Sequence, residues 1–208
     1  MEATVVIPNY NGIKYLKGCL DSLREQSRHD FKVLLIDNGS QDGSVQLVKS
    51  HYPEVELVCF SENRGFCGAV NEGIRRADTP YVILLNNDTV CAQEFVAELI
   101  AAMEKMPDCF SCASQMVKMQ DSTVIDNAGE KRREIFSACA GAAIYRRDIF
   151  DEIGLFDETH FAYLEDVDVA YRAKIAGYRN YYIPEAVVKH VGSATSGSVY
   201  NEFKIRHS

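Results

Sequence analysis

Val33-Leu34-Leu35-Ile36-Asp37-Asn38-Gly39-Ser40 sets four consecutive aliphatic residues against a polar turn. A strand covered on both faces reads as an unbroken apolar run, which is the habit of parallel sheets packed between helices. Val82-Ile83-Leu84-Leu85, followed by Asn86-Asn87-Asp88-Thr89, repeats the arrangement. Working outward from these two runs, the pattern predicts strands over 4–7, 32–36, 55–60 and 81–85. Between and after them, three sets fall at helical spacing: Leu16, Cys19, Leu20, Leu23; then Val70, Gly73, Ile74, Ala77; then Val96, Leu99, Ile100, Met103. Strands alternating with one-faced helices imply βαβ units and a parallel sheet.

The second half is less regular. It predicts a strand over 142–145, a helix over 166–176, and two further strands over 180–183 and 186–189. The polar stretch 120–134 reads as a loop or short hairpin within the fold. Ligands of open α/β sheets bind beyond the carboxyl ends of the strands. Pro8-Asn9-Tyr10-Asn11, Asp37-Asn38-Gly39-Ser40 and Asn86-Asn87-Asp88 are therefore expected to converge.

The chain has 208 residues, 47% of them hydrophobic, enough for a large single core. Its 22 Lys+Arg against 30 Asp+Glu give a net charge of -8, which argues against a general affinity for the nucleic-acid backbone. No leader-like start and no apolar run of membrane-spanning length is present, so a cytoplasmic protein, at most peripheral to a membrane, is expected. The seven cysteines sit mostly in apolar segments, as reduced, buried thiols do. Cys109 and Cys112 form a single CxxC with no second ligand pair, a weak metal pattern.

Five places can carry chemistry. Asp37 ends a strand, where a carboxylate can accept hydrogen bonds from a nucleobase or ribose; Ser40 or Asp42 beyond it can equally cap the next helix. Asn63-Arg64-Gly65-Phe66 offers a close backbone approach at Gly65 but no GxGxxG, and no GxxxxGK[ST] occurs anywhere, which disfavours dinucleotide oxidoreductases and P-loop NTPases. Asp88 lies among Asn86, Asn87 and Thr89, an oxygen-rich setting suited to Mg²⁺, although Asp88 or Thr89 can also cap a helix. Glu165-Asp166-Val167-Asp168 opens a helix whose N-terminus favours anions. Glu165, Asp168 and Arg172 share a face, with Asp168–Arg172 a structural pair, while Asp166 points about 100° away beside Val169, Ala170 and Ala173, where small neighbours leave room for a ligand. His190, after Val187-Val188, is either a hydrogen-bonded histidine or a metal ligand; His29, His51, His160 and His207 have no comparable setting.

Taken in order, Val5-Val6-Ile7-Pro8-Asn9-Tyr10-Asn11, Leu35-Ile36-Asp37-Asn38-Gly39-Ser40-Gln41-Asp42-Gly43, Asn63-Arg64-Gly65-Phe66, Leu84-Leu85-Asn86-Asn87-Asp88-Thr89, Gly154-Leu155-Phe156-Asp157-Glu158 and Tyr163-Leu164-Glu165-Asp166-Val167-Asp168 resemble the family 2 glycosyltransferases, most of all their rhamnosyltransferase-like branch. The resemblance covers nearly the whole chain. It implies a GT-A fold: a Rossmann-like, mostly parallel central sheet with helices on both faces and a mixed acceptor-side half. A single domain over 1–208 is expected, with a nucleotide-sugar half over 1–115 and an acceptor half over 116–208.

By the same resemblance, Pro8, Tyr10 and Asn11 line the base pocket, Asp37 bonds the base, and Asn63 and Arg64 lie near the nucleotide. Asn86 and Asn87 bind the nucleotide-sugar in a DxD-like segment that ends in Asp88, with Asp88 and His190 holding Mg²⁺ or Mn²⁺ and Asp166 acting as general base of an inverting transfer. The implied partners are a nucleotide-diphosphate sugar, dTDP-rhamnose or a UDP-sugar, and a glycan or lipid-linked acceptor in cell-envelope polysaccharide synthesis, at the inner face of the membrane. Three features depart from the family pattern: Asn86 stands where the DxD motif begins with Asp, the segment between Glu130 and Lys131 is short, and the chain stops at Ser208 where a C-terminal continuation is expected. A sugar nucleotidyltransferase would need a Gly-rich basic loop near the start, which Asn9-Tyr10-Asn11-Gly12 is not. A non-catalytic sugar-nucleotide binding module draws support only from Asn86 and the short segment.

Overall fold

The structure is a computed structural model that describes residues 1–125, 129–159 and 164–191. The nucleotide-side half runs β1 (Ala3–Asn9), α1 (Ile13–Arg24), β2 (Phe31–Asp37), α2 (Ser44–His51), β3 (Glu56–Cys59), α3 (Gly65–Arg76) and β4 (Tyr81–Leu85). Its strands are parallel and ordered β3-β2-β1-β4. After them come β5 (Thr89–Cys91), α4 (Phe95–Lys105), β6 (Cys109–Lys118), β7 (Arg133–Ile135), β8 (Ala142–Arg146), α5 (Ile149–Ile153), α6 (Glu165–Ile175) and β9 (Arg179–His190). They extend the sheet as β4-β8-β6-β9-β5, with β7 also on β9, in mixed directions.

The alternation of side chains along the strands divides the core in two. Val5, Ile7, Leu35, Ile83 and Leu85 face Leu16, Leu20 and Leu23 of α1 and Leu99, Ile100 and Met103 of α4. Val6, Leu34, Ile36, Val82 and Leu84 face Val70 and Ile74 of α3, Phe150 of α5, and Val169 and Ala173 of α6. Both faces are thus covered, as the unbroken apolar runs require. The α3–β1 packing is close enough that a Cβ on Gly73 would stand 2.2 Å from Val6 Cγ1.

Two differences from the sequence reading have physical reasons. The two strands expected over 180–183 and 186–189 are one, β9, whose pairing with β6 shifts register between Ser114 and Gln115. Pro184, which has no N–H to give a ladder, falls at that irregularity. β6 has no counterpart among the expected elements: Cys109-Phe110-Ser111-Cys112-Ala113-Ser114 is buried but rich in small polar residues. Its hydroxyls are satisfied internally, Ser111 Oγ donating to Asn180 Oδ1 at 2.7 Å and Ser114 Oγ to the Ala142 carbonyl at 2.7 Å. The stretch expected to be a loop or short hairpin does begin with one, closed by an antiparallel bridge between Val117 and Val124, and ends in β7, which pairs with β9.

All seven cysteines are free. Five are buried, while Cys59 and Cys139 are exposed. The sulfurs of Cys109 and Cys112 touch at 3.5 Å in the core beside Met103. Among the described residues no helix is long and apolar enough to cross a membrane.

Candidate active site

The carboxyl ends of β1, β2 and β4 meet through side chains. Asn9 Nδ2 donates to Asp37 Oδ1 at 2.8 Å and to Ser40 Oγ at 3.2 Å, and Asn87 Nδ2 donates to Asn9 Oδ1 at 2.7 Å. The other Asp37 oxygen accepts the Ser40 N–H at 2.9 Å. Asp37 is buried and held on both oxygens, and it caps no helix. Asp42 does the capping: it accepts the Ile13 N–H at the start of α1 and the Ser44 N–H at the start of α2.

The residues expected to line a base pocket lie around this core. Pro8 is half-buried in register with Ile36, and Tyr10 is exposed at the rim. Asn11 takes a left-handed φ of 49°, a conformation that Asn tolerates better than most residues. Its Oδ1 accepts the Gln41 N–H at 2.9 Å, and its own N–H donates to Ser40 Oγ. Asn63 and Arg64 join through Asn38, whose buried amide donates to Asn63 Oδ1 and the Gly65 carbonyl while accepting the Arg64 N–H. The Arg64 guanidinium lies 4.3 Å over the Phe60 ring.

Past β4 the chain turns through Asn86, Asn87 and Asp88 into β5. Thr89 pairs with His190 at the end of β9, and Val191 N–H donates to the Asp88 carbonyl at 3.2 Å. That pairing sets His190 Nε2 3.1 Å from Asp88 Oδ1, with Asp88 buried. α4 begins only at Phe95, so Asp88 and Thr89 cap nothing. One carboxylate and one imidazole fit a divalent ion, because neighbouring ligands of an octahedral ion bound at about 2.1 Å stand about 3 Å apart. Among the described residues no group of three or more His, Cys, Asp or Glu side chains gathers, so the remaining ligands would be water and phosphate oxygens.

Asp166 sits in the first turn of α6, reached through Leu164 at a left-handed φ of 64°. The loop before β8 ties it to the DxD-like segment. The Ala140 N–H donates to the Asp166 carboxylate, and Ser137 Oγ donates to the Asp166 carbonyl at 2.8 Å. One residue on, the Gly141 carbonyl accepts the Asn86 N–H at 2.8 Å. Burial raises the Asp166 pKa above the ordinary carboxylate value, with the backbone hydrogen bonds pulling the other way. Asp168 is structural, as expected. It pairs with Arg172 at 2.7 Å, and Arg172 also donates to the Ile153, Gly154 and Leu155 carbonyls.

The sequence reading passed over Asn9 and Asn38 as individual contributors and Asn71 altogether. Buried Asn71 pairs with the Phe156 backbone in both directions and donates to Glu158. A polar residue at an apolar strand end or on a buried helix face was the available signal. Tyr163, His160, Gly192, Ser193 and His207 lie outside the described residues. A shallow cavity of about 350 Å³ lined by Asp78, Thr79, Pro80, Arg146 and Arg147 lies at the opposite end of β4, away from these residues.

The Glycosyl transferase family 2 model matches residues 4–154. The chain belongs to this family. It is similar to N-acetylglucosaminyl-diphospho-decaprenol L-rhamnosyltransferase of Mycobacterium tuberculosis, 26% identical over 93% of this chain and 77% of that protein. It is also similar to the O-antigen chain rhamnosyltransferase RfbN of Salmonella typhimurium, 27% identical over 98% of this chain and 70% of that protein. Solved GT-A enzymes share the fold. The mannosyltransferase PcManGT from Pyrobaculum calidifontis, in complex with GDP-Man and Mn²⁺, superposes with a TM-score of 0.76 at 18% identity over 94% of this chain. TarS of S. aureus with UDP-GlcNAc gives 0.76 at 20% identity over 93% of this chain. The chain spans 58% and 61% of those two solved chains.

Proposed function

We propose that this chain is an inverting glycosyltransferase that moves a sugar from a nucleotide diphosphate to the hydroxyl of a cell-envelope glycan or lipid-linked acceptor. The observation that carries the reading is the hydrogen-bonded line from Asp37 through Asn9 to Asn87, continued by Asp88 and His190 and joined to Asp166 across Ala140 and Gly141. Under this reading residues 1–115 bind the donor and 116–208 shape the acceptor side. The rhamnosyltransferase relatives favour dTDP-rhamnose, and the solved neighbours with UDP-GlcNAc leave a UDP-sugar as the second donor to try.

Asp37 accepts a hydrogen bond from the base, Tyr10 offers a ring at the rim, and Arg64 brings positive charge to the phosphates of a net acidic protein. Asp88 and His190 would hold Mg²⁺ or Mn²⁺, which would supply positive charge against the negative charge growing on the departing diphosphate. Asp166 takes the proton of the acceptor hydroxyl as its oxygen bonds to the anomeric carbon. The bond from that carbon to the diphosphate oxygen breaks in the same step. A single displacement of this kind inverts the centre, and no covalent enzyme intermediate forms.

The test is incubation of the protein with dTDP-rhamnose and UDP-sugars, Mn²⁺ and lipid-linked or oligosaccharide acceptors. Acceptor-dependent release of the nucleotide diphosphate, with an inverted anomeric signal by NMR, is the expected result. Donor binding without turnover for any acceptor would point to a sugar-nucleotide binding module instead.

A further inference from the structure

Asn9 ends β1 with its side chain buried, and both ends of its amide are committed. The nitrogen faces a carboxylate and a hydroxyl, Asp37 and Ser40, and the oxygen faces the Asn87 amide nitrogen. Only a group carrying a donor on one side and an acceptor on the other meets both neighbours. The place matters as much as the chemistry. β1 is the strand where the sheet order reverses, with β2 on one side and β4 on the other, and a crevice opens at such a point. Pairing of β1 with β4 stops at Val6↔Leu84, whereas pairing of β1 with β2 runs on to Asn9↔Asp37. Beyond Val6, the Asn9–Asn87 hydrogen bond spans that crevice. Gly12 closes over it: a Cβ there would stand 2.1 Å from Asn87 Nδ2 and 2.4 Å from Asn9 Oδ1.

We propose that Asn9 is a positioning residue for the donor, its amide holding Asp37 and Asn87 in one fixed relation across the crevice between β1 and β4. The proposal rests on the reading above, in which Asp37 meets the base and the Asn86–Asp88 turn meets the diphosphate. Asn9 touches neither. It keeps the Asp37 carboxylate from rotating and the Asn87 side chain from leaving the crevice, so that base and diphosphate are met at the right separation without reordering on binding.

The experiment is calorimetric titration of the 208-residue chain with UDP and with dTDP in the presence of Mn²⁺, using wild type, Asn9→Leu, Asp37→Ala and the double variant, each checked for folding by circular dichroism. Asn9→Leu keeps the approximate size and removes all three side-chain hydrogen bonds, to Asp37, Ser40 and Asn87, and affinity is expected to fall about tenfold, the scale of one lost hydrogen bond of the stronger kind. The double variant should lose less than the product of the two single losses, because Asn9 acts in part through Asp37. Asn9→Asp, which keeps the size and the acceptor toward Asn87 but sets a carboxylate against Asp37, should weaken binding as well, and it serves if the leucine variant does not fold. Loss of affinity in Asp37→Ala together with affinities within twofold of wild type in folded Asn9 variants would overturn the proposal alone. Unchanged affinity in Asp37→Ala would overturn the reading of Asp37 and the proposal with it.

Discussion

His190 Nε2 stands 3.1 Å from Asp88 Oδ1 because the first residue of β5 pairs with the last residue of β9. Two groups that the sequence separates by about half of the chain thus form one prospective ligand pair. Nucleotide-diphosphate binding is expected to need a divalent ion, and Asp88→Ala is expected to weaken it at least tenfold. Calorimetry with and without EDTA checks this, and undiminished affinity in EDTA would remove the metal from the account.

His190→Ala is expected to lower metal-supported turnover while the domain stays folded, since β9 keeps its pairing with β6 and β5 through the backbone. Imidazole suits Mn²⁺ better than Mg²⁺, which prefers oxygen, so the loss should differ between the two ions. Steady-state rates with each ion make the comparison. Equal full activity with both would leave His190 a structural partner of Asp88.

Asp166→Asn should cut turnover by about 10²- to 10⁴-fold, the usual cost of a positioned base, while donor affinity is retained. Burial raises the Asp166 pKa, so the charged form is the disfavoured one in the folded protein. The sign for stability follows: ionised Asp166 weakens the fold at neutral pH, and the penalty shrinks as pH falls through its raised folded-state value and is gone below the unfolded-state one. The variant should therefore melt higher than wild type at pH 7, with the gap closing in acid. The wild-type rate should fall on the acid side through a pKa above the ordinary 3.8. A pH–rate profile and paired melting curves test both signs, and a helix-capping role alone leaves rate and melting temperature nearly unchanged, because Asn caps about as well as Asp.

Gly12→Ala and Gly73→Ala separate site from scaffold. Both add a Cβ where there is no room, against Asn87 and Asn9 in the first case and against Val6 in the second. Each should cost about 1–3 kcal/mol of stability, as overpacking does. Only Gly12→Ala should also weaken nucleotide binding, because it breaks the Asn9–Asn87 contact. Urea denaturation with nucleotide titration distinguishes them, and an equal loss of affinity in both would show that the effect is general loosening.

The nucleotide-side half was legible because its strands are covered on both faces and its helices on one, so hydrophobic period alone located β1, β2, β4 and the buried faces of α1, α3 and α4. β6 escaped because much of its buried run is Cys, Ser and Ala, and the Ser111 and Ser114 hydroxyls find partners only once β9 and β8 are in place. Pro184 split β9 in two on paper, since a missing N–H looks like a strand end until the neighbouring register is known. Asp37, Asp88 and Asp166 stood out by position and motif. Asn9 did not, because an amide's role depends on which groups face its two ends, and those come from β2 and from the turn after β4.

β9 has a consequence for biosynthesis. A chain leaves the ribosome from its N-terminus, so β1 to β4 and the turn holding Asp88 are out well before the strand that ends in His190. Until that strand inserts between β6 and β5, Asp88 has no histidine beside it and β6 lacks its longest pairing. Asp88 and His190 can therefore come together only when β9 docks, after β1 to β8 have been made.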